Sequence, residues 1–391
     1  MSIKDEIKSL NSELIELRRD FHLHPELGLH EVRTSGIVEK YLKDLGLEVR
    51  RCTETGVIGV LRGKGEGKTV MLRCDIDALP VEEKTGLEFA SQNKGVMHAC
   101  GHDGHTSMML IAAKILAAHK DKINGNIVFL FQPNEEEAGA EEMIKHGALE
   151  NPKPDAVCGL HIWSYVPTGK IGIVYGPIMA SSYYFKIKIT GRGGHGGSPH
   201  LVISPIDAAG HVLSAINSFH TYEQNSLKPT VISVGKIHAG QKEIVIPDEL
   251  EMEGSIRCLH DDDEQVRNRF KELVEATCKA HRCECEIEFV CGNTLLNNDD
   301  TMTKLVIDTA EKVVGKENIQ MKDVSVMLGD DFAEFSRRVP GVYYFLGTGN
   351  PEKKTNYDHH NCRFNIDEDS LPIGVEMHVR NALAYLGVNI E

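Results

Sequence analysis

The stretch HACGHDGH, His98–His105, gathers three histidines, a cysteine, an aspartate and two glycines into eight residues. Three chemistries use such a set. A divalent cation takes imidazole and thiolate together, a thiolate can act as a nucleophile with a histidine base, and a polar turn uses the same groups for hydrogen bonds alone. Cys100 and His102 stand two apart, so an extended backbone points both to one side, and Gly101 and Gly104 let the chain wrap tightly.

Further groups of the same kind recur along the chain. Asp75 and Asp77 follow the apolar run VMLRC, Glu135, Glu136 and Glu137 follow IVFLF, and His161 follows AVCGL. His359 and His360 lie in NYDHHNCRF, after the late run GVYYFLGTGN. Each has an ordinary explanation. A single histidine after a strand is usually a hydrogen-bonding residue, and acids at a helix start favour its dipole. By the same reasoning His98 and His105 ligate nothing, and His22 and His24 shape a turn before Pro25. What favours metal is convergence, because ligands in α/β sheets bind beyond the carboxyl ends of the strands. There are more donors than one tetrahedral zinc uses, so a paired-metal centre is expected.

The elements that carry these groups alternate. KTVMLRCDID, GNIVFLFQPNEEE and PDAVCGLHIW read as buried strands, and TSMMLIAAKILAAH and EEMIKHGALEN as helices, with Asp103 or Thr106 available to cap the first. That order predicts an α/β layered domain with a largely parallel sheet. From residue 180 the texture changes to strand, helix, two strands, helix, strand, the split βαβ order of an α+β, ferredoxin-like domain. The expected organisation is a catalytic α/β domain over residues 1–179 and 293–391, interrupted by an inserted domain over 180–292. In CECEIEF the alternation of Cys283, Cys285, Ile287 and Phe289 with glutamates reads as a half-buried strand rather than a zinc site.

The bulk properties agree with an enzyme. The chain has 391 residues, 41% hydrophobic and 26% charged, with a formal net charge of −15. That acidity argues against nucleic acid or an anionic membrane as partner. The N-terminus reads as an amphipathic helix rather than a signal peptide, and no apolar run reaches the ~20 residues of a membrane span. Ten cysteines without export signals are expected to be reduced thiols in the cytoplasm.

In order along nearly the whole chain stand LRRDFHLHPELGLHE, MLRCDIDALPVEE, HACGHDGHTSMML, FLFQPNEEEAGA, GLHIW, GRGGHGGSPH and HHNCRFNIDEDSL. Together they resemble the metal-dependent amidohydrolases of the aminoacylase/carboxypeptidase metallopeptidase family. The branch is that of hippurate hydrolases, N-acyl-L-amino-acid amidohydrolases and auxin-conjugate hydrolases. The resemblance implies a binuclear site of two divalent ions, manganese or zinc first and cobalt or nickel tolerated. Cys100 would be the bridging ligand, with His102, Glu136, His161 and His360, the last chosen over His359 by counting four back from Phe364. It further implies Glu135 as general base and Asp75 as the group orienting a ligand imidazole. His195 would reach the substrate carbonyl, Arg257 would grip a substrate carboxylate, and the inserted domain would serve as lid and dimerisation module of a homodimer.

The substrates implied are N-acyl amino acids, N-acetyl, N-benzoyl or similar. A dedicated biosynthetic deacetylase (such as one for N-acetyl-diaminopimelate), or a small-peptide carboxypeptidase or dipeptidase, would use the same site. A non-catalytic binding relative and a cysteine hydrolase built on Cys100 are the readings from other classes. The sequence departs from the family at Cys362, where proline is usual, and at Glu137, which lengthens the acidic pair. It departs also at Tyr183 and Tyr184, where an acid is frequent, and at Asp330, where glutamate is common.

Overall fold

In the computed structural model, which describes residues 2–390, the chain divides into two compact units. The first comprises residues up to Ile178, Leu296–Ser325 and Asp330 onward; the second is Met179–Leu295 with Val326–Gly329.

The first unit is built on an eight-stranded sheet. Its centre is four parallel strands, Asn124–Gln132, Gly65–Asp75, Ala156–Pro167 and Gly341–Gly349. Their near-continuous apolar sequences suit strands covered on both faces. The buried portions MLRCD, VFLFQ and VYYFLG are almost wholly inaccessible. The flanks are mixed rather than parallel. Glu48–Arg51 and Val57–Arg62 are joined by a short turn, so they pair antiparallel, and Val57–Arg62 runs antiparallel to Asn124–Gln132.

The helix His102–Ala118 is buried on nearly every face. It packs against the strand Gly65–Asp75 and the C-terminal helix Leu371–Tyr385, and its apolar residues merge with those of the sheet in one core.

The second unit holds a four-stranded antiparallel sheet in the order Thr230–Ala239, Glu249–Cys258, Ser181–Thr190, Glu284–Cys291. The helices Pro205–Tyr222 and Asp263–Ala280 bury Val212, Phe219, Phe270 and Val274 against Phe185, Ile187 and Ile189. This is the split βαβ order. The strand Glu284–Cys291 alternates as its sequence suggests, with Cys285, Ile287 and Phe289 half-buried toward the helices. All ten cysteines are free. Among the described residues no helix is long and apolar enough to cross a membrane.

Candidate metal centre

The HACGHDGH stretch is not one extended strand. Gly101 takes φ +99°, a left-handed conformation that favours glycine, and the helix starts at His102 itself, four residues before Thr106. Asp103 is therefore no cap: it sits inside the first turn, facing Arg18 Nε at 2.9 Å and His22 Nδ1 at 2.8 Å. His22 lies on the buried face of the helix Asn11–Leu23 and not in a turn. Gly104 packs so closely that a Cβ would lie 2.5 Å from Ile162 Cδ1.

The turn at Gly101 brings Cys100 and His102 to one centre. The ligand atoms of Cys100, His102 and Glu136 lie within 4.8 Å of one another, as do those of Asp75, His102, His105 and His161. Cys100 Sγ is 3.5 Å from His161 Nε2 and 3.7 Å from His359 Nδ1. Glu136 Oε1 is 3.3 Å from His360 Nε2. Thus Cys100, His102, Glu136, His161 and His360, delivered by separate segments, converge.

The second nitrogen of each imidazole shows which is free to ligate. His161 Nδ1 donates to the Ile162 carbonyl at 2.6 Å, leaving Nε2 toward Cys100. His102 Nδ1 lies 2.9 Å from the Asp77 carbonyl and 3.2 Å from its carboxylate, leaving Nε2 free. His105 has no such freedom. Its Nδ1 meets Asp75 Oδ1 at 2.5 Å, and its Nε2 accepts from Ile162 N–H at 2.8 Å. Asp75, expected to orient a ligand imidazole, therefore has its shortest contact with this structural histidine, and reaches His102 Nε2 only at 3.7 Å. Asp77 instead holds His102 through one carboxylate oxygen and receives the Glu136 N–H on the other at 3.1 Å.

The glutamates are set by their loop. Glu135–Glu137 form a single 3₁₀ turn between Asn134 and Ala138, both left-handed. Glu31, buried at the end of LRRDFHLHPELGLHE, accepts from Asn134 N–H at 2.9 Å. Asp331 accepts from Gln132 Nε2 and from Ala140 N–H, each at 2.8 Å. Glu135 Oε2 lies 3.9 Å from His102 Nε2, and its carboxylate clusters with Asp330 and Asp331. Asp330, in the place of a common glutamate, is buried and hydrogen-bonded to the Tyr343 hydroxyl. Behind them Arg73, fully buried, meets Asp75 at 2.7 Å, Asp331 at 3.0 Å and Gln132 at 2.8 Å. A guanidinium so placed needs several anionic partners to offset its lost hydration.

The electrostatics are those of a cation site. Burial, then the carboxylates of Glu136 and Glu135, push the Cys100 thiol well up. Burial and the neighbouring Asp330 and Glu136 likewise raise Glu135. Burial acts against the charged form of His102, but Asp75 and Asp77 overcome it and lift the ring to about 10. His102 Nε2 and Glu136 Oε1 are buried without a hydrogen-bond partner, a costly state for inward-facing polar atoms. Soft thiolate, imidazole and carboxylate together suit a borderline divalent ion. This donor set fits metal, and its acidic excess is what bound cations would balance.

Two of the expected residues, His195 and Arg257, belong to the second unit. His195 pairs with Val245 in a two-residue ladder and accepts from Gly197 N–H on Nδ1 at 2.9 Å. Arg257, on the strand Glu249–Cys258, donates to the Met327 carbonyl at 3.0 Å. The sequence placed Asp77 at this strand end without giving it a role, and gave no role to Glu31 or Asp331. Asp77 alone left a signal, since it shares a face with Asp75.

Comparison with known proteins gives a consistent result. The model of peptidase family M20/M25/M40 matches residues 71–384. Thermostable carboxypeptidase 1 of Saccharolobus solfataricus is 39% identical over 98% of each chain. The N-acyl-L-amino acid amidohydrolase of Geobacillus stearothermophilus is 41% identical over 76% of this chain and 82% of its own. Among solved structures, a dinuclear metal-binding M20 peptidase of Bacillus subtilis covers 98% of this chain and 100% of its own, at 31% identity and TM-score 0.85.

Proposed function

The chain belongs to peptidase family M20/M25/M40, and from that premise we propose that it is a two-metal amidohydrolase, releasing a carboxylic acid and a free amino acid from N-acyl amino acids. The observation that carries this is the convergence of Cys100, His102 and Glu136 on one buried point with unpartnered donor atoms. Cys100, His102, Glu136, His161 and His360 would together hold the two ions. Manganese or zinc is favoured, and cobalt or nickel is tolerated by the same donors. Bound divalent ions would supply Lewis acidity, lowering the pKa of a water and polarising an amide carbonyl.

The chain's own groups do the rest. Glu135, whose Oε2 lies 3.9 Å from His102 Nε2, accepts a proton from the attacking water and returns it to the leaving amine. Asp77 fixes His102 and the Glu136 backbone in register, so the acidic loop and the helix start move as one. Because His195 Nδ1 accepts from Gly197 N–H, its proton sits on Nε2, ready to donate to the carbonyl oxygen as charge develops. Arg257 has one N–H anchored on Met327 and keeps the rest of its fork for a substrate carboxylate.

A small-peptide carboxypeptidase is the second reading, supported by the likeness over almost the whole chain to a thermostable carboxypeptidase. The family resemblance supports a homodimer, and ten unpaired cysteines support a reducing, cytoplasmic setting. The test is metal content, followed by hydrolysis of N-acetyl and N-benzoyl amino acids and of dipeptides before and after chelation. Activity lost to chelator and restored by Mn²⁺ or Zn²⁺ is expected, with N-acyl amino acids ahead of dipeptides. Turnover indifferent to chelation would overturn the reading, and dipeptides ranking first would select the second.

A further inference from the structure

The second unit carries its own cluster of metal-binding side chains, independent of the centre described above. Asp207 and His211 stand four apart on the helix Pro205–Tyr222, and so share one face. His281 caps the C-terminus of the helix Asp263–Ala280. Its Nδ1 lies 3.1 Å from Asp207 Oδ2, and its ring stacks on that of His211 at 4.2 Å between centroids and 25° between planes. Ligand atoms of all three lie within 4.8 Å of one another.

The backbone holding them is already fixed. The Ser204 hydroxyl accepts from Asp207 N–H at 3.2 Å, capping the first helix. The second helix is closed by a left-handed Arg282 and by Cys283 N–H donating to the Cys278 carbonyl at 2.9 Å. Both helices bury residues in one core, with Val212 on the first and Val274 and Cys278 on the second. The three donors are thus presented by rigid elements, and a cation would need only side-chain adjustment to enter.

We propose that Asp207, His211 and His281 form a second, separate site for one borderline divalent cation, of the zinc, copper or nickel class, clamping the start of one helix to the end of the other. Two imidazoles and one carboxylate select this class over calcium or magnesium, which take oxygen ligands. Three protein donors leave one tetrahedral position for water. The site is more exposed than the buried centre, with the Asp207 side chain 65% and that of His281 26% accessible. It should therefore fill after that centre.

The test uses untagged holoenzyme, loaded with metal and dialysed against zinc in excess, with zinc per chain measured by elemental analysis. Wild type should hold one equivalent more than the His211→Ala/His281→Ala double variant. His211→Ala alone and Asp207→Asn should lose the same equivalent, while hydrolysis stays at the wild-type rate. Zinc should also raise the melting temperature of wild type beyond that of the double variant. Equal zinc content in wild type and double variant would overturn the proposal, and full retention by Asp207→Asn would overturn the three-donor site. Failure of the buried centre is distinguishable, because it would lower metal content and activity in every variant alike.

Discussion

At the scale of single residues the division of labour between neighbours is the main finding. Glu135 and Glu136 are adjacent, yet burial with Asp330 raises one, while the other is held below the usual carboxylate range against the same burial, chiefly by the His360 imidazole 3.3 Å away. Glu135→Gln should keep both ions and lose about 10²- to 10⁴-fold in kcat, and full turnover would refute its role as base. Cys100→Ala should lose metal, and elemental analysis of the purified variant checks this. Away from the site, burial with a smaller contribution from His105 pushes His378 down to about 3, and its Nδ1 has no hydrogen-bond partner. A folded-state value below the unfolded ~6.5 means that stability is complete above pH 6.5 and erodes as pH falls toward 3. This group alone should cost about 2 kcal/mol between pH 7 and pH 5. His378→Leu should flatten that decline in denaturant titrations at the two pH values, and an unchanged slope would rule it out.

At the scale of elements, the helix His102–Ala118 is held in place by contacts too close for a larger side chain. A Cβ on Gly374 would lie 2.1 Å from Met108 Sδ, where the C-terminal helix crosses it. Gly374→Val should cost about 1–3 kcal/mol by overpacking and, by shifting the helix start, reduce metal occupancy as well; thermal unfolding and metal analysis together check both. Much of this scale was legible in the sequence. Apolar runs ending in Asp75, Gln132 and His161 are strands because parallel central strands must be apolar throughout, and the alternation at Cys283–Phe289 announces a half-buried strand. What could not be read depends on partners distant in sequence. Nothing near Arg73 reveals that Asp331 answers its charge, nor does anything near Asn134 reveal Glu31. The helix start at His102 depends on a left-handed Gly101, which periodicity does not encode. That Val326–Gly329 joins the second unit was equally hidden, because its ties run through its own backbone carbonyls, Met327 accepting from Arg257 and Leu328 from Ala180 N–H.

At the scale of the whole molecule, the net charge of −15 bears on the proposed reaction. An N-acyl amino acid is an anion at neutral pH, so the protein's long-range field opposes its approach. Raising ionic strength from about 0.01 M to about 0.15 M shortens the screening length from ~30 Å to ~8 Å. kcat/KM should therefore rise with salt while kcat changes little. A fall in kcat/KM would instead mean that a local cationic funnel, with Arg257 the foremost candidate, outweighs the overall charge.

The main segment of the second unit, Met179–Leu295, enters and leaves on neighbouring strands. Ser182 N–H donates to the Asn293 carbonyl, and Gly292 N–H to the Ser182 carbonyl, each at 2.8 Å. A segment whose entrance and exit touch can be exchanged as a cassette without disturbing the frame that receives it. The consequence is evolutionary as well as practical. Changes in the segment and in the frame can then accumulate separately, and a swap of residues 181–292 between relatives should leave the metal content of the frame unchanged.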